Sequence, residues 1–305
     1  MSHRLTPLRI GAILAALIAV VPLVAVLVTA AGQPGDTLTA ETFWRYTRTS
    51  VALVLLVGGG TACLGGIAAW LVALHDFPGR RLFSWALVLP MAAPAFVVAY
   101  GYASLFDVAG PIRTAWRTAF GWDPPLGMRS LWGAALVMTL AFYPYVYLTL
   151  RAALISQSSS LAEAARTLGL NQRQTFMRVI LPLARPALAA GMALAAMETL
   201  ADYGATSYLT VQTLTTGVVR AWSVFYSAAE AARLALPLLA TAAVLLWIER
   251  AGRPATSETG QARWRELPRI RLKGGWGWAA TLYCLILIGL GLILPLGWLA
   301  SLGWR

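Results

Sequence analysis

Apolar runs long enough to cross a bilayer alternate with short polar pieces along the whole chain. Read as helices, they fall at roughly 8–30, 50–74, 82–106, 131–153, 186–208, 231–248 and 276–300, each close to the ~20 residues that cover a hydrocarbon core. In lipid every backbone N–H and C=O must be satisfied within its own segment, which favours helices over open sheets. The second run holds Gly58, Gly59, Gly60, Gly65 and Gly66. That density weakens a soluble helix but lets a neighbouring backbone come close in lipid. The expected fold is an all-α polytopic membrane protein. Arg4 and Arg9 precede the first run, as in a signal peptide. The run is long for one and further spans follow, so it reads as an uncleaved first helix.

Composition agrees. The 305 residues are 59% hydrophobic and only 12% charged, about half the usual charged fraction. The net charge of +12 would suggest nucleic acid in a soluble protein. Here the arginines sit in short linkers beside apolar runs, so the charge reports topology and no nucleic-acid partner is expected. With the N-terminus in the cytoplasm, 16 of the 24 basic residues fall on the inner side and 7 on the outer, and Arg305 ends the chain. Cys63 and Cys284 lie inside apolar runs and suggest neither a disulfide framework nor a metal site. His3 and His75 are too far apart in sequence to imply a site; His75 reads as the end of a membrane helix.

Two polar pieces stand out. GPIRTAWRTAFGWDPPLG, within 108–130, is rich in Trp, Pro and Gly and predicts short interfacial helices. EAARTLGLNQRQTFMRVILPLARPALAAG begins at Glu163. Ser160 followed by Glu163 is a capping-box spacing, and Asn171 followed by Gln174 repeats it. Gly169 should end the first helix in a left-handed conformation, and Pro182 should end or kink the second. The segment therefore predicts helix, sharp turn, helix. Its exposed side would offer Leu168, Leu170 and Phe176 among Arg166 and Arg173. This suits either a protein groove or a hairpin resting on the lipid surface, and the residues alone do not choose.

The same segment resembles the EAA loop of binding-protein-dependent ABC transporter permeases: Glu-Ala-Ala, three residues, Gly, nine residues, Ile, any residue, Leu-Pro. Here those places fall on Glu163, Ala164, Ala165, Gly169, Val179 (in the Ile position), Leu181 and Pro182. The resemblance implies a type I ABC importer transmembrane domain whose EAA coupling hairpin sits in a cleft of a cytosolic ATPase subunit, the likeness extending to an ATPase dimer. METLADYGATSYLTVQTLTTGVVRAW, from Met197 to Trp222, is similar to iron(III)-type permeases, with thiamine permeases in the same group. In that group one chain holds two six-span halves, each with its own loop. The implied domains are thus a first transmembrane domain over 1–249, with about six spans and its cytoplasmic loop near 158–185, and a cytoplasmic linker over 250–275. Residues 276–305 would be the first span of a truncated second domain.

The resemblance further implies a multi-pass protein of the bacterial inner membrane. Its partners would be a periplasmic binding protein, a second permease half (fused or separate) and the lipid bilayer. Ferric iron is the expected substrate; thiamine, a polyamine or an inorganic anion are alternatives. Glu198 and Asp202 are four apart and share a helix face. With Tyr203 they are candidates for a gate or pathway, because charges at membrane depth often line one. They could equally cap, pair with arginine or hold a broken helix. The chain lacks GxxxxGK[ST], HExxH and GxSxG patterns. It is therefore read as a translocation subunit without catalytic, cofactor or metal residues, with ATP used by the separate subunit. An ion-coupled secondary transporter is the rival, and the EAA pattern weighs against it.

Overall fold

A computed structural model describes residues 7–32, 38–124, 127–156, 165, 167–252 and 269–304. The chain forms two compact units, residues 1–50 with 212–241, and residues 51–211 with 242–305. The helices in chain order are α1 (Pro7–Ala30), α2 (Ala40–Leu74), α3 (Arg80–Ala86), α4 (Ala95–Leu105), α5 (Pro111–Phe120) and α6 (Leu131–Ser156). They continue with α7 (Gln172–Thr175), α8 (Leu181–Ala201), α9 (Gly204–Tyr208), α10 (Leu214–Ser223), α11 (Ala228–Gly252), α12 (Gly275–Ile288) and α13 (Leu294–Gly303). A two-residue parallel pair, β1 (His75–Asp76) with β2 (Ile270–Arg271), is the one strand pairing among the described residues. His75 stands directly after the last residue of α2, at the helix end as expected, and opens β1, buried against Trp70 with ring centroids 4.4 Å apart.

Five described stretches are long and apolar enough to cross a membrane: Ala40–Leu74, Leu131–Ser156, Phe176–Ala201, Ala228–Trp247 and Gly275–Gly303. The run expected at 82–106 is not one straight span. It is a broken pair, 80–92 and 95–105, bent by 86°. Pro90 and Pro94 flank the break; each lacks the N–H that would continue an α-helical ladder. The expected span at 186–208 begins earlier, at Phe176, and stops at Ala201.

In the larger unit α6 is the central helix, with most of its length buried. Helices α2 and α8 approach it through glycines. A Cβ on Gly65 would lie 2.5 Å from the Tyr143 carbonyl oxygen and 3.0 Å from the Tyr147 nitrogen. A Cβ on Gly191 would collide with Thr149 and the Val146 backbone. The last helix, residues 275–303, packs in this same unit: the Tyr102 hydroxyl donates to the Leu290 carbonyl at 2.6 Å, and Trp298 Nε1 donates to Ser104 Oγ at 2.9 Å. A π-turn at Gly289–Ile293 lies just before Pro295, whose backbone meets Gly101.

The smaller unit has its own core of Tyr46, Leu214, Ala221, Ala231 and Leu234. Buried polar groups there are paired, as burial demands. Glu230 accepts from the Leu38 N–H at 3.0 Å, Ser50 Oγ accepts from the Leu214 N–H at 2.8 Å, and Arg233 donates to the Ala30 and Gly32 carbonyls.

Candidate functional site: a capped hairpin joined to a membrane helix

The turn forms at Gly169. Its φ of +85° lies in the left-handed region that glycine enters without steric cost. The Leu170 N–H donates to the Ala165 carbonyl at 3.1 Å, the six-residue closure of a Schellman helix end. Ala165 is buried, while Leu168 beside the glycine is 83% exposed. Glu163, Ala164 and Arg166 lie outside the described residues, so this structure says nothing of those parts of the motif.

The second helix starts with a reciprocal cap. Gln174 N–H donates to Asn171 Oδ1 and Asn171 N–H donates to Gln174 Oε1, both at 2.9 Å, satisfying two of the donors that a helix start leaves open. Pro182 does not end this helix. A π-turn at Phe176–Ile180 leads directly into α8, and Pro182, which has no N–H to donate, follows that turn without breaking the helix. Val179, Leu181 and Pro182 are half-buried along it. Pro186 is likewise carried within α8.

Phe176 differs from expectation. It is half-buried and packs on Trp70, with centroids 6.1 Å apart. The four-residue step Phe176, Ile180, Ala184 makes one helix face, and that face joins the core cluster of Leu150, Leu154 and Val72. The apolar side chains left outward are Leu168 and Met177. Trp70 is the contact that sequence reasoning missed; nothing local to the hairpin pointed to it.

At its far end α8 stops at Ala201. Asp202 Oδ1 accepts from the Ala205 N–H at 2.7 Å and the Asp202 carbonyl accepts from Thr206 Oγ1 at 2.8 Å. The aspartate thus caps the short helix α9. Gly204 allows the close pass over Phe96, whose Cβ would be 2.8 Å from an added Cβ. Glu198 is exposed and lies against Tyr145 of α6; Tyr203 is exposed at the break. The structure brings Glu198, Asp202 and Tyr203 to one end of α8 and the described hairpin residues Ala165, Gly169, Val179, Leu181 and Pro182 to the other. The ~30-residue continuous helix between them spans about 45 Å.

On α5, Arg113 and Arg117 both grip Asp123. Their hydrogen bonds hold its carboxyl well below the usual carboxylate range. Trp116 packs beside them, tilted against Phe120 and edge-on to Trp122.

This arrangement is the fold of a type I ABC importer transmembrane domain. A bacterial ABC transporter that imports the acidic polysaccharide alginate superposes with a TM-score of 0.60 at 16% identity, over 82% of this chain and 96% of that one. Residues 61–250 match the family described as binding-protein-dependent transport system inner membrane component, and the chain belongs to that family. It is similar to the Fe(3+)-transport system permease protein FbpB 2 of Haemophilus influenzae, 28% identical over 66% of this chain and 36% of that one. It is also similar to the sulfate transport system permease protein CysT of Escherichia coli, 34% identical over 48% of this chain and 51% of that one. The chain thus spans about a third to a half of the length of these relatives.

Proposed function

We propose that this chain is the permease part of an ATP-driven importer and that the hairpin around 165–180 receives the movement of a cytosolic ATPase dimer. The observation that carries this reading is the continuity of the hairpin with α8. A capped, glycine-turned end passes through a π-turn into one membrane helix, so displacement at Leu168 is carried to Asp202. Binding of ATP by the separate subunit would then favour one arrangement of spans over another. The N-terminus lies in the cytoplasm in this scheme, which places the hairpin on the ATPase side. A periplasmic binding protein delivers substrate, and a second permease half completes the path. ATP stays with the ATPase, and this chain breaks no bond.

Asp202 and Glu198 act here as structural and gating residues. The cap on α9 supports a structural part for Asp202, and the position of both at the end of α8 supports a gate. Ferric iron is the favoured substrate, supported by the ferric relative over two thirds of the chain. An inorganic oxyanion is the second reading, supported by the sulfate permease match. Proteoliposomes holding the chain with its second permease half, ATPase and binding protein should take up radiolabelled ferric iron when ATP is enclosed. Uptake of sulfate with no uptake of iron selects the second reading; ATP-independent uptake of either overturns the importer scheme.

A further inference from the structure

The β1–β2 pair joins two loops that are remote in sequence. His75 pairs with Ile270 and Asp76 with Arg271, the Leu272 N–H donates to the Asp76 carbonyl at 3.0 Å, and Thr281 Oγ1 donates to the Pro78 carbonyl at 2.8 Å. Between the loops lies a cavity of about 770 Å³ whose charged lining is Arg80, Arg81, Arg269, Arg271 and Asp76. Among the described residues the charged lining is thus four guanidinium groups and one carboxylate, and Arg269 has a further interaction of its own. That carboxylate is only loosely engaged: Asp76 is exposed, and its Oδ1 stands 3.8 Å from Arg80 Nε, which already donates to the Val72 carbonyl at 2.9 Å. Even with Arg269 set aside, Arg80, Arg81 and Arg271 outnumber the one carboxylate in the described lining, and a concave site of this size with that excess calls for an anion.

The depth of the cavity says which anion. It opens where the apolar helix α2 ends and the apolar helix α12 begins. Trp278 lines it at 68% exposure, and Trp276 beside it is 77% exposed. Exposed tryptophans at the start of a span mark the headgroup level of a bilayer, which is where lipid phosphates lie. The same 80–92 segment also lines a second, mainly apolar cavity of about 600 Å³ with Trp85, Val88, Leu89, Met91 and Leu148. Arg151 borders that cavity, and its Nε has no hydrogen-bond partner. Apolar walls on the same 80–92 segment, with tryptophans at the headgroup level, suit a lipid and not a freely diffusing phosphate.

We propose that the arginine-lined cavity between residues 76–81 and 269–278 binds the phosphodiester headgroup of an anionic phospholipid. Bound there, the lipid bridges the loop after α2 to the loop before α12. Basic pockets between membrane helices use the same attraction for acidic headgroups. None of these side chains belongs to the hairpin or to the α8 end, so the site stands whatever the substrate proves to be.

Native mass spectrometry of the purified full chain in neutral detergent, with added phosphatidylglycerol, phosphatidylcholine or inorganic phosphate, tests this. Phosphatidylglycerol adducts should dominate over phosphatidylcholine and should survive excess inorganic phosphate. The pair Arg269→Gln with Arg271→Gln, both exposed, should weaken phosphatidylglycerol binding about 30-fold, on the basis of roughly 1 kcal/mol per basic residue near anionic lipid. Arg269→Lys with Arg271→Lys should restore it. If the Gln pair lowers the unfolding midpoint without lipid, Arg81→Gln, on the opposite loop, should still weaken binding about fivefold by the same measure. Equal binding of both lipids, or full binding by the Gln variants, would overturn the proposal. Displacement by inorganic phosphate would reassign the cavity to a soluble anion. Cross-linking of Arg271→Cys to the ATPase without lipid selectivity would reassign it to protein docking.

Discussion

Gly65 and Gly191 sit where helices cross, and Gly169 sits at a turn with open space around it. The first two are required because no Cβ fits: carbonyl, amide and side-chain atoms of α6 occupy the place one would take. The third is required because of its backbone angle, since nothing lies within 4 Å of an added Cβ. One region is held by packing and the other by conformation. The membrane core is built to resist change. The hairpin is built to keep a shape while offering its outer face to something else.

The comparison predicts unequal failures. Gly65→Val should be the most damaging, because the Tyr143 and Tyr147 backbone cannot move aside. We expect a loss of about 3 kcal/mol or more, seen as a large drop in unfolding midpoint in detergent; a midpoint near wild type would show that α2 is not seated on α6 as described. Gly169→Val should cost only about 1–2 kcal/mol, the penalty of the left-handed region for an L-residue, yet it should abolish transport and loosen the ATPase. Gly169→Asn, which tolerates that region, should keep both. If the two variants behave alike, the backbone angle is not what matters there.

Asp202→Asn keeps the oxygen that accepts from the Ala205 N–H, so uptake should fall less than in Gly169→Val at matched membrane amounts. The reverse order would make the carboxylate charge, and not the cap, the important feature. The smallest effect is expected at Asp123. Its folded-state pKa is depressed by Arg113 and Arg117, so the ordering it gives the loop is present above the ordinary aspartate range and is lost only as pH falls through the depressed value. Protection from hydrogen exchange across 110–124, taken relative to the intrinsic rate at each pH, should hold down to the ordinary range and fall below it, whereas Asp123→Asn should lower protection already at neutral pH.

Much of this architecture was legible in the chain. Apolar run lengths gave the helices, because lipid leaves few alternatives, and local rules gave the turn: Gly169 and the Asn171–Gln174 spacing each act within five residues. Prolines misled the reading in both directions. Pro182 looked like a stop or a kink, yet the helix runs on through it, with a π-turn just before it. Pro90 and Pro94 lay inside one apolar run, and the 86° break there depends on the packing of two segments that hydropathy cannot separate. Phe176 looked outward because nothing near it in sequence names Trp70 as its partner. The contact of residues 76–81 with 269–274 was invisible for the same reason, since the two segments are remote in sequence and meet at the β1–β2 pair.

The central claim is that the outer face of the hairpin meets an ATP hydrolase. Cys63 and Cys284 are the two cysteines and both are free, so replacing them and introducing Leu168→Cys places a single thiol on the most outward apolar position of the turn. Cross-linking in membranes that contain the co-expressed ATPase should capture that subunit, with a yield that changes on adding ATP. Labelling of the same thiol by a membrane-impermeant maleimide from outside intact cells, with no ATPase captured, would contradict the account.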